Sequence, residues 1–135
     1  MKEWITGRNP VYECLHASRR HYFRLLLNEG SEIKGRVAEI VNLARKANIR
    51  IEMVDKFQLA KIADNPQGVA LQVSGYPYAD LHLILDHVDV SGQPMFILIL
   101  DQVQDVQNLG ALIRSAELFG VHGILIPARR AAGIT

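Results

Sequence analysis

The chain has 135 residues, 49% of them hydrophobic and 21% charged, with 15 Lys/Arg against 14 Asp/Glu for a formal net charge of +1. That is the make-up of an ordinary globular chain forming one domain or two small ones, and neither a disordered segment nor a fibre matches it. One cysteine, Cys14, excludes an internal disulfide framework and suits a reducing cytosol. The opening MKEWITGRNP has no apolar leader core, and no run approaches the roughly 18 apolar residues of a membrane span. A cytoplasmic protein that does not enter a membrane is expected. Charge is uneven along the chain. Residues 1–75 hold 12 Lys/Arg against 8 Asp/Glu, a net of +4, and residues 76–135 hold 3 against 6, a net of −3. The first half is the better candidate for meeting a polyanion.

In chain order, Gly7-Arg8-Asn9-Pro10 reads as a turn, with Pro10 suited to the first turn of a short helix over residues 11–17. Cys14 falls in that apolar stretch without a recognisable base partner, so it is expected to pack rather than react. Arg19, Arg20, His21 and Arg24 form the densest basic cluster, followed by a β-like run over residues 22–27 that ends at Asn28-Glu29-Gly30. The cluster is either a solvated edge or a phosphate-contacting patch with aromatics nearby for stacking. Ile33, Val37, Ile40, Val41 and Ala44 set a helical stripe over residues 32–47. Residues 49–54 alternate like a strand, Asp55 caps a short helix over 56–63, and Asn65-Pro66-Gln67-Gly68 is a loop before a strand over 69–73. Residues 1–75 therefore read as α-β-α-β-α-β, an α/β domain of three or more strands.

Gly75-Tyr76-Pro77-Tyr78-Ala79-Asp80 marks a boundary, and residues 80–88 predict a linking helix. The continuous apolar run Phe96-Ile97-Leu98-Ile99-Leu100, between Pro94 and Asp101, predicts a strand buried on both faces. A polar stretch over 101–107 follows, then a helix with Leu109, Leu112, Ile113, Ala116 and Phe119 on one stripe and Gly120 to stop it. Residues 123–126 read as a second buried strand closed by Pro127. The result is a βαβ unit whose loop lies beyond the carboxyl end of a strand, where α/β sheets place ligands. Opposite the apolar stripe, Gly110, Arg114 and Glu117 fall together. Gly110 is a poor helix former, which points to close backbone approach, and Arg114 offers a fixed cation suited to phosphate or ribose oxygens. Asn108 could cap the helix or reach a ligand. The spacing alone is equally met by Asp105 or Asn108 as a plain N-cap and by an Arg114–Glu117 surface ion pair. His82 and His87 read as surface or packing residues. No metal-ligand spacing, P-loop or Ser-His-Asp arrangement is present, and Asn108-Leu109-Gly110 supplies one glycine of a dinucleotide-binding turn.

LDQVQDVQNLGALIRSAELFGV resembles the first signature motif of the SpoU (TrmH-like) family of RNA ribose 2′-O-methyltransferases, in the knotted SPOUT superfamily. The residues that carry the resemblance are Asp101, Asn108, Gly110, Arg114, Glu117, Phe119, Gly120 and Val121; Val106 stands where the family usually has proline. Gly7-x-Asn9-Pro10-Val11-x-Glu13-x-Leu15 resembles the opening of that family's L30e-like substrate-binding domain. Gln67-Gly68-Val69 resembles its His-Gln-Gly-Val element, with Pro66 in the histidine position.

The resemblance implies an α/β fold. An L30e-like α/β/α domain is expected over 1–75, a linker over 76–94 and the start of a SpoU methyltransferase domain over 95–135, with the trefoil knot beyond the last residue. It implies methyl transfer from S-adenosylmethionine to a ribose 2′-hydroxyl of rRNA or tRNA by the parent protein, a large-subunit ribosomal guanosine being the preferred target. The 135 residues alone are expected to be inactive; the alternative is a stand-alone L30e-like RNA-binding module. Arg114 is expected to contact the ribose or phosphate and assist deprotonation, with Asn108 positioning the loop and Glu117 orienting Arg114. Asp101, Gly110 and Gly120 are expected to shape the motif, and Arg8, Arg19, Arg20, Arg24, Gln67 and Gly68 to meet RNA. No metal and no cofactor-binding residue is expected within the chain. The partners implied are RNA and, for the full-length protein, a second copy.

Overall fold

A computed structural model of the chain describes residues 1–127 and Gly133. The chain divides into two compact units, Met1–Pro77 and Tyr78–Thr135, each with its own sheet.

The first unit runs β1 (Lys2–Thr6), α1 (Arg8–Ala17), β2 (Tyr22–Asn28), α2 (Arg36–Lys46), β3 (Arg50–Val54), α3 (Lys56–Ala60) and β4 (Val69–Ser74). Its sheet has the order β1-β4-β2-β3, with β2 parallel to β3 and β4 antiparallel to both β1 and β2. The carboxyl ends of β1, β2 and β3 therefore share one edge with the start of β4. Period-2 alternation sorts the side chains. Leu25, Leu27, Val69, Leu71 and Val73 meet Val11 and Leu15 of α1 and Val37, Ile40, Val41 and Ala44 of α2. Leu26 and Ala70 point to the other face, against Leu59 of α3, with Trp4 beside them. Each fully buried leucine or isoleucine here contributes about 1.5–3 kcal/mol of transfer free energy.

Three expectations change in this unit. A strand, β1, precedes the first helix. It is an edge strand in which only Ile5 is buried, so its apolar pattern is weak. Helix α1 begins at Arg8 because Gly7, at φ 90°, turns the chain there. Pro10 then falls at the third helical position, where a missing N–H breaks no helical bond. Helix α2 begins at Arg36, after Gly35 at φ 55°, and Ile33 lies off the stripe, 54% exposed.

The second unit contains α4 (Leu81–Ser91), β5 (Ile97–Ile99), α5 (Val106–Leu118) and β6 (Gly123–Leu125). Asp80 caps α4, its carboxylate accepting from the His82 N–H at 2.9 Å. Strands β5 and β6 pair in parallel, so β5-α5-β6 is a βαβ unit. Leu98, Leu100, Ile124 and Ile126 line one face against Leu109, Leu112 and Ile113 of α5. On the other face a Cβ at Gly123 would lie 2.5 Å from Ile84 Cγ2, so α4 needs a glycine there.

The expected two-faced burial of residues 96–100 is not met among the described residues. Ile99 is 69% exposed because the cover over that face reaches Gly123 but not Ile99. Phe119 also leaves the predicted stripe and is 76% exposed. The helix ends at Leu118, and Gly120, at φ 71°, closes it with Val121 N–H donating to Ala116 O at 3.0 Å and Gly120 N–H to Glu117 O at 3.2 Å. That double closure turns Phe119 outward.

Candidate functional site

Beyond β5 the chain runs from Asp101 through Gln102, a non-glycine residue held at φ 57°, to Asp105. Asp105 is the N-cap of α5, its carboxylate accepting from the Gln107 N–H at 3.0 Å. Asn108 is therefore not the cap; it lies in the first turn with its side chain exposed. Val106 occupies the first helical position, where proline is well accommodated. The usual proline of the SpoU motif thus maps onto a helix start.

Asp101, Asn108, Arg114 and Glu117 are all exposed and Gly110 is half-buried. A Cβ on Gly110 would lie 3.6 Å from Arg114 Nη1, with nothing else within 4 Å. The Arg114 guanidinium thus lies back along the helix over Gly110, in the N-terminal direction that helical side chains take. Gly110 and Arg114 come together. Arg114 and Glu117 share a face, but no ion pair joins them among the described residues.

The carboxyl edge of the first sheet gathers a second group of predicted residues. Gln67, at φ 53°, accepts the Arg8 N–H on its Oε1 at 2.9 Å and the Arg8 Nε–H on its carbonyl at 3.3 Å. Gly68 has φ 78°, and a Cβ there would meet Ser31 Oγ at 2.7 Å, so only glycine fits. Its carbonyl accepts from Asn28 N–H at 2.9 Å, while Gly7 N–H donates to Pro66 O at 3.2 Å. The loop is thereby sewn to the ends of β1 and β2. Arg8, Asn9, Arg36 and Gln67 line an open cleft of about 460 Å³. The Arg36 guanidinium lies 4.0 Å from the Tyr12 ring centroid and pairs with Glu39 at 2.6 Å. Tyr12 in turn stacks on His16, with centroids 5.7 Å apart. Arg36 and Tyr12 were not singled out from the sequence.

At the opposite edge the basic cluster is largely used inside the fold. Arg20 has a side chain only 5% exposed, pairs with Glu3 at 2.8 Å and donates to Ser74 O at 3.2 Å. Arg24 donates to Gln72 Oε1 at 3.1 Å, pairs with Glu52 at 3.3 Å and lies over Trp4. Both guanidiniums are thus engaged by their own chain, where the sequence suggested contact with RNA. Arg19 alone of the three is exposed without such a partner among the described residues. Burial pushes the Cys14 thiol above its ordinary range, with Arg20 opposing, and the Tyr22 hydroxyl donates to the Cys14 carbonyl at 2.8 Å. Cys14 packs against the main core, as a half-buried apolar residue would. His87 meets His122 edge-on, and among the described residues no group of three His, Cys, Asp or Glu could hold a metal. Nor is any helix among them long and apolar enough to cross a membrane.

A family profile described as RNA 2′-O ribose methyltransferase substrate binding matches residues 4–79, and one described as the SpoU rRNA Methylase family matches residues 95–135. The chain belongs to the SpoU family of RNA methyltransferases. A Bacillus subtilis protein named as a TrmH family tRNA/rRNA methyltransferase, YacO, is 37% identical over 134 residues, covering 98% of this chain and 53% of the relative. An uncharacterized tRNA/rRNA methyltransferase of Mycobacterium sp. (strain KMS) is 40% identical over 135 residues, covering 98% and 43%. The chain thus spans about half the length of the curated relatives it matches. Among solved structures, the SpoU methyltransferase AviRb from Streptomyces viridochromogenes, in complex with AdoMet, superposes with a TM-score of 0.63 at 19% identity, covering 97% of this chain and 47% of that one. The AdoMet-bound rRNA methyltransferase from Sinorhizobium meliloti gives 0.60 at 23% identity, covering 93% and 43%. These likenesses establish the SpoU-type α/β fold.

Proposed function

We propose that the chain supplies the substrate-binding part and the opening of the catalytic domain of an enzyme that methylates a ribose 2′-hydroxyl in ribosomal or transfer RNA, a large-subunit ribosomal guanosine being the first candidate. Residues 1–75 act as the L30e-like RNA-binding domain, 76–94 connect, and 95–135 begin the methyltransferase domain. S-adenosylmethionine supplies the methyl group when bound, as the AdoMet-bound relatives of this fold suggest. The described residues do not by themselves fit that cofactor: each of their buried side-chain nitrogens and oxygens already has a partner, and those around Asn108 and Arg114 are exposed. Its site is therefore assigned to the remainder of a longer protein, which works as a cytoplasmic homodimer.

The observation that carries the reading is the exposed face of α5 beyond the end of β5, where the Arg114 guanidinium lies over Gly110 with no ion pair among the described residues. A guanidinium has no lone pair to spare for a proton and is a poor base. Its role is to hold the ribose or its phosphate and to stabilise the forming alkoxide, the proton leaving through a phosphate or water. Asn108 steadies the loop, and Glu117, one turn along, orients Arg114 once RNA is bound. In the full-length enzyme, Arg114→Ala should lower turnover by roughly 10²- to 10³-fold and leave cofactor affinity unchanged. Retained turnover would sink this role for Arg114.

A second reading is a binding module without catalysis, favoured by the closed core of the first unit and the two guanidiniums in its cleft. Salt-dependent RNA binding by the 135 residues with no methyl incorporation would support it for this chain.

A further inference from the structure

We infer that RNA is held at the edge of the first sheet where β1, β2 and β3 end, with Arg8 and Arg36 contacting the phosphodiester backbone, and not at the Arg19–Arg24 cluster on the opposite edge. The inference rests on the RNA-binding reading above and assigns it a place. The densest basic stretch of the sequence is the poorer contact surface. Arg20 is buried against Glu3, so moving it onto a phosphate would leave Glu3 without its cation, and Arg24 is held by Gln72 and by Glu52, which Arg50 also pairs.

The carboxyl edge has the opposite character. Two guanidiniums on two different helices, Arg8 on α1 and Arg36 on α2, open into one cleft of about 460 Å³. That volume falls within the roughly 300–1,000 Å³ of small-ligand sites. Arg8 uses its Nε–H on the Gln67 carbonyl, which fixes the side chain and leaves its terminal nitrogens without a partner among the described residues. Arg36 is held over Tyr12, so its guanidinium plane is pre-positioned, and its carboxylate partner among the described residues, Glu39, is 53% exposed. An exposed pair of this kind is weak and readily exchanged for a phosphate. Lys34 pairs with Glu32 on the approach to α2. Both α1 and α2 begin after a glycine with no side-chain cap of its own, Gly7 and Gly35, which adds positive potential to the guanidiniums. The backbone N–H of Arg8 is already taken by Gln67, so the contacts fall to the arginines. His16, exposed and stacked on Tyr12, provides a ring face beside them for an unpaired base.

The test is fluorescence anisotropy of the 135-residue chain with a labelled RNA hairpin and with single-stranded polyuridylate, titrated at several KCl concentrations. Circular dichroism of each variant confirms the fold. Arg36→Glu and Arg8→Glu should each weaken binding by about tenfold or more and lower the salt slope by about one. Arg36→Lys should fall between, because it keeps the charge and loses the planar contact with Tyr12. Arg19→Glu should stay within about twofold of the unaltered chain. Binding that survives both cleft variants but is lost in Arg19→Glu would overturn the inference while leaving RNA binding by this unit intact. An unaltered chain that binds neither RNA would overturn both.

Discussion

In the first unit a four-stranded sheet carries helices on both faces, and Leu25, Ile40, Val69 and Leu71 are wholly withdrawn from solvent. In the second, a two-stranded sheet is covered well by α5 on one face and leaves Ile99 69% exposed on the other. Parallel sheets are found almost only with both faces covered, and among the described residues the first unit has a closed core while the second leaves one face of its parallel pair partly bare. The placement of exposed charge follows the same division. Where the core is complete, arginines such as Arg20 and Arg24 can be spent on securing strand edges. Where the core is small, the motif residues Asn108 and Arg114 stand on a helix surface.

The contrast can be broken most directly through the two cores. Leu71→Ala, at 0% exposure, should destabilise the first unit by about 3–4 kcal/mol. Ile99→Ala should cost less than about 0.5 kcal/mol. Urea unfolding followed by a probe in each unit measures both, and equal costs would mean that Ile99 is covered in solution. The glycines sharpen the comparison at the two sites. Gly68→Ala should cost about 2–3 kcal/mol, since it combines a left-handed backbone with overlap on Ser31. A second change, Ser31→Gly, should return part of that. Gly110→Ala meets only Arg114 Nη1, at an ordinary contact distance of 3.6 Å, so it should stabilise α5 by about 0.5–1 kcal/mol with the guanidinium left in place, and lower turnover of the full-length enzyme by filling the space beside Arg114 that the ribose would use. A Gly110→Ala variant with full turnover would show that the ribose does not use the space over Gly110.

The smallest effect is one of pH. Burial raises the Cys14 thiol above its ordinary value of 9.0, with Arg20 partly opposing. The folded state holds that proton more tightly than the unfolded one, so the contribution is whole below the ordinary thiol range and fades as pH rises through the raised value. Alkaline unfolding of the first unit should therefore be shallower in Cys14→Ala. Identical pH profiles would remove Cys14 from the account.

Much of this was legible in the residues, and the exceptions have physical causes. The stripe Val37, Ile40, Val41 and Ala44 and the Asp55 cap could be read directly, because periodicity and capping are local. Strand β1 escaped because an edge strand with one buried residue gives little pattern. The run over 96–100 was readable as a strand, but its exposure depends on what covers each face, which no run of five residues encodes. At the site, Gln67, Gly68, Asn108, Gly110 and Arg114 stood out through motif spacing. Asp105 rather than Asn108 proved to be the cap, a distinction that rests on one carboxylate rotamer. Arg36 was hidden among alternating charges, and its partner Tyr12 lies on another helix, so only the fold brings the two together. Conversely, Arg20 and Arg24 formed a conspicuous cluster in sequence because Glu3, Glu52 and Gln72, which occupy them, are distant in the chain.

The central claim is methyl transfer to a ribose 2′-oxygen, and the position of the label in RNA tests it most directly. The full-length protein is incubated with large-subunit ribosomal RNA or tRNA and S-adenosylmethionine carrying a tritiated methyl group, and the RNA is then hydrolysed in alkali. Alkaline cleavage requires a free 2′-hydroxyl, so a 2′-O-methyl group protects the bond beside it. Label is expected in alkali-resistant dinucleotides, accumulating roughly 10²- to 10³-fold more slowly with Arg114→Ala. Label released in mononucleotides would place the methyl on a base and contradict that claim.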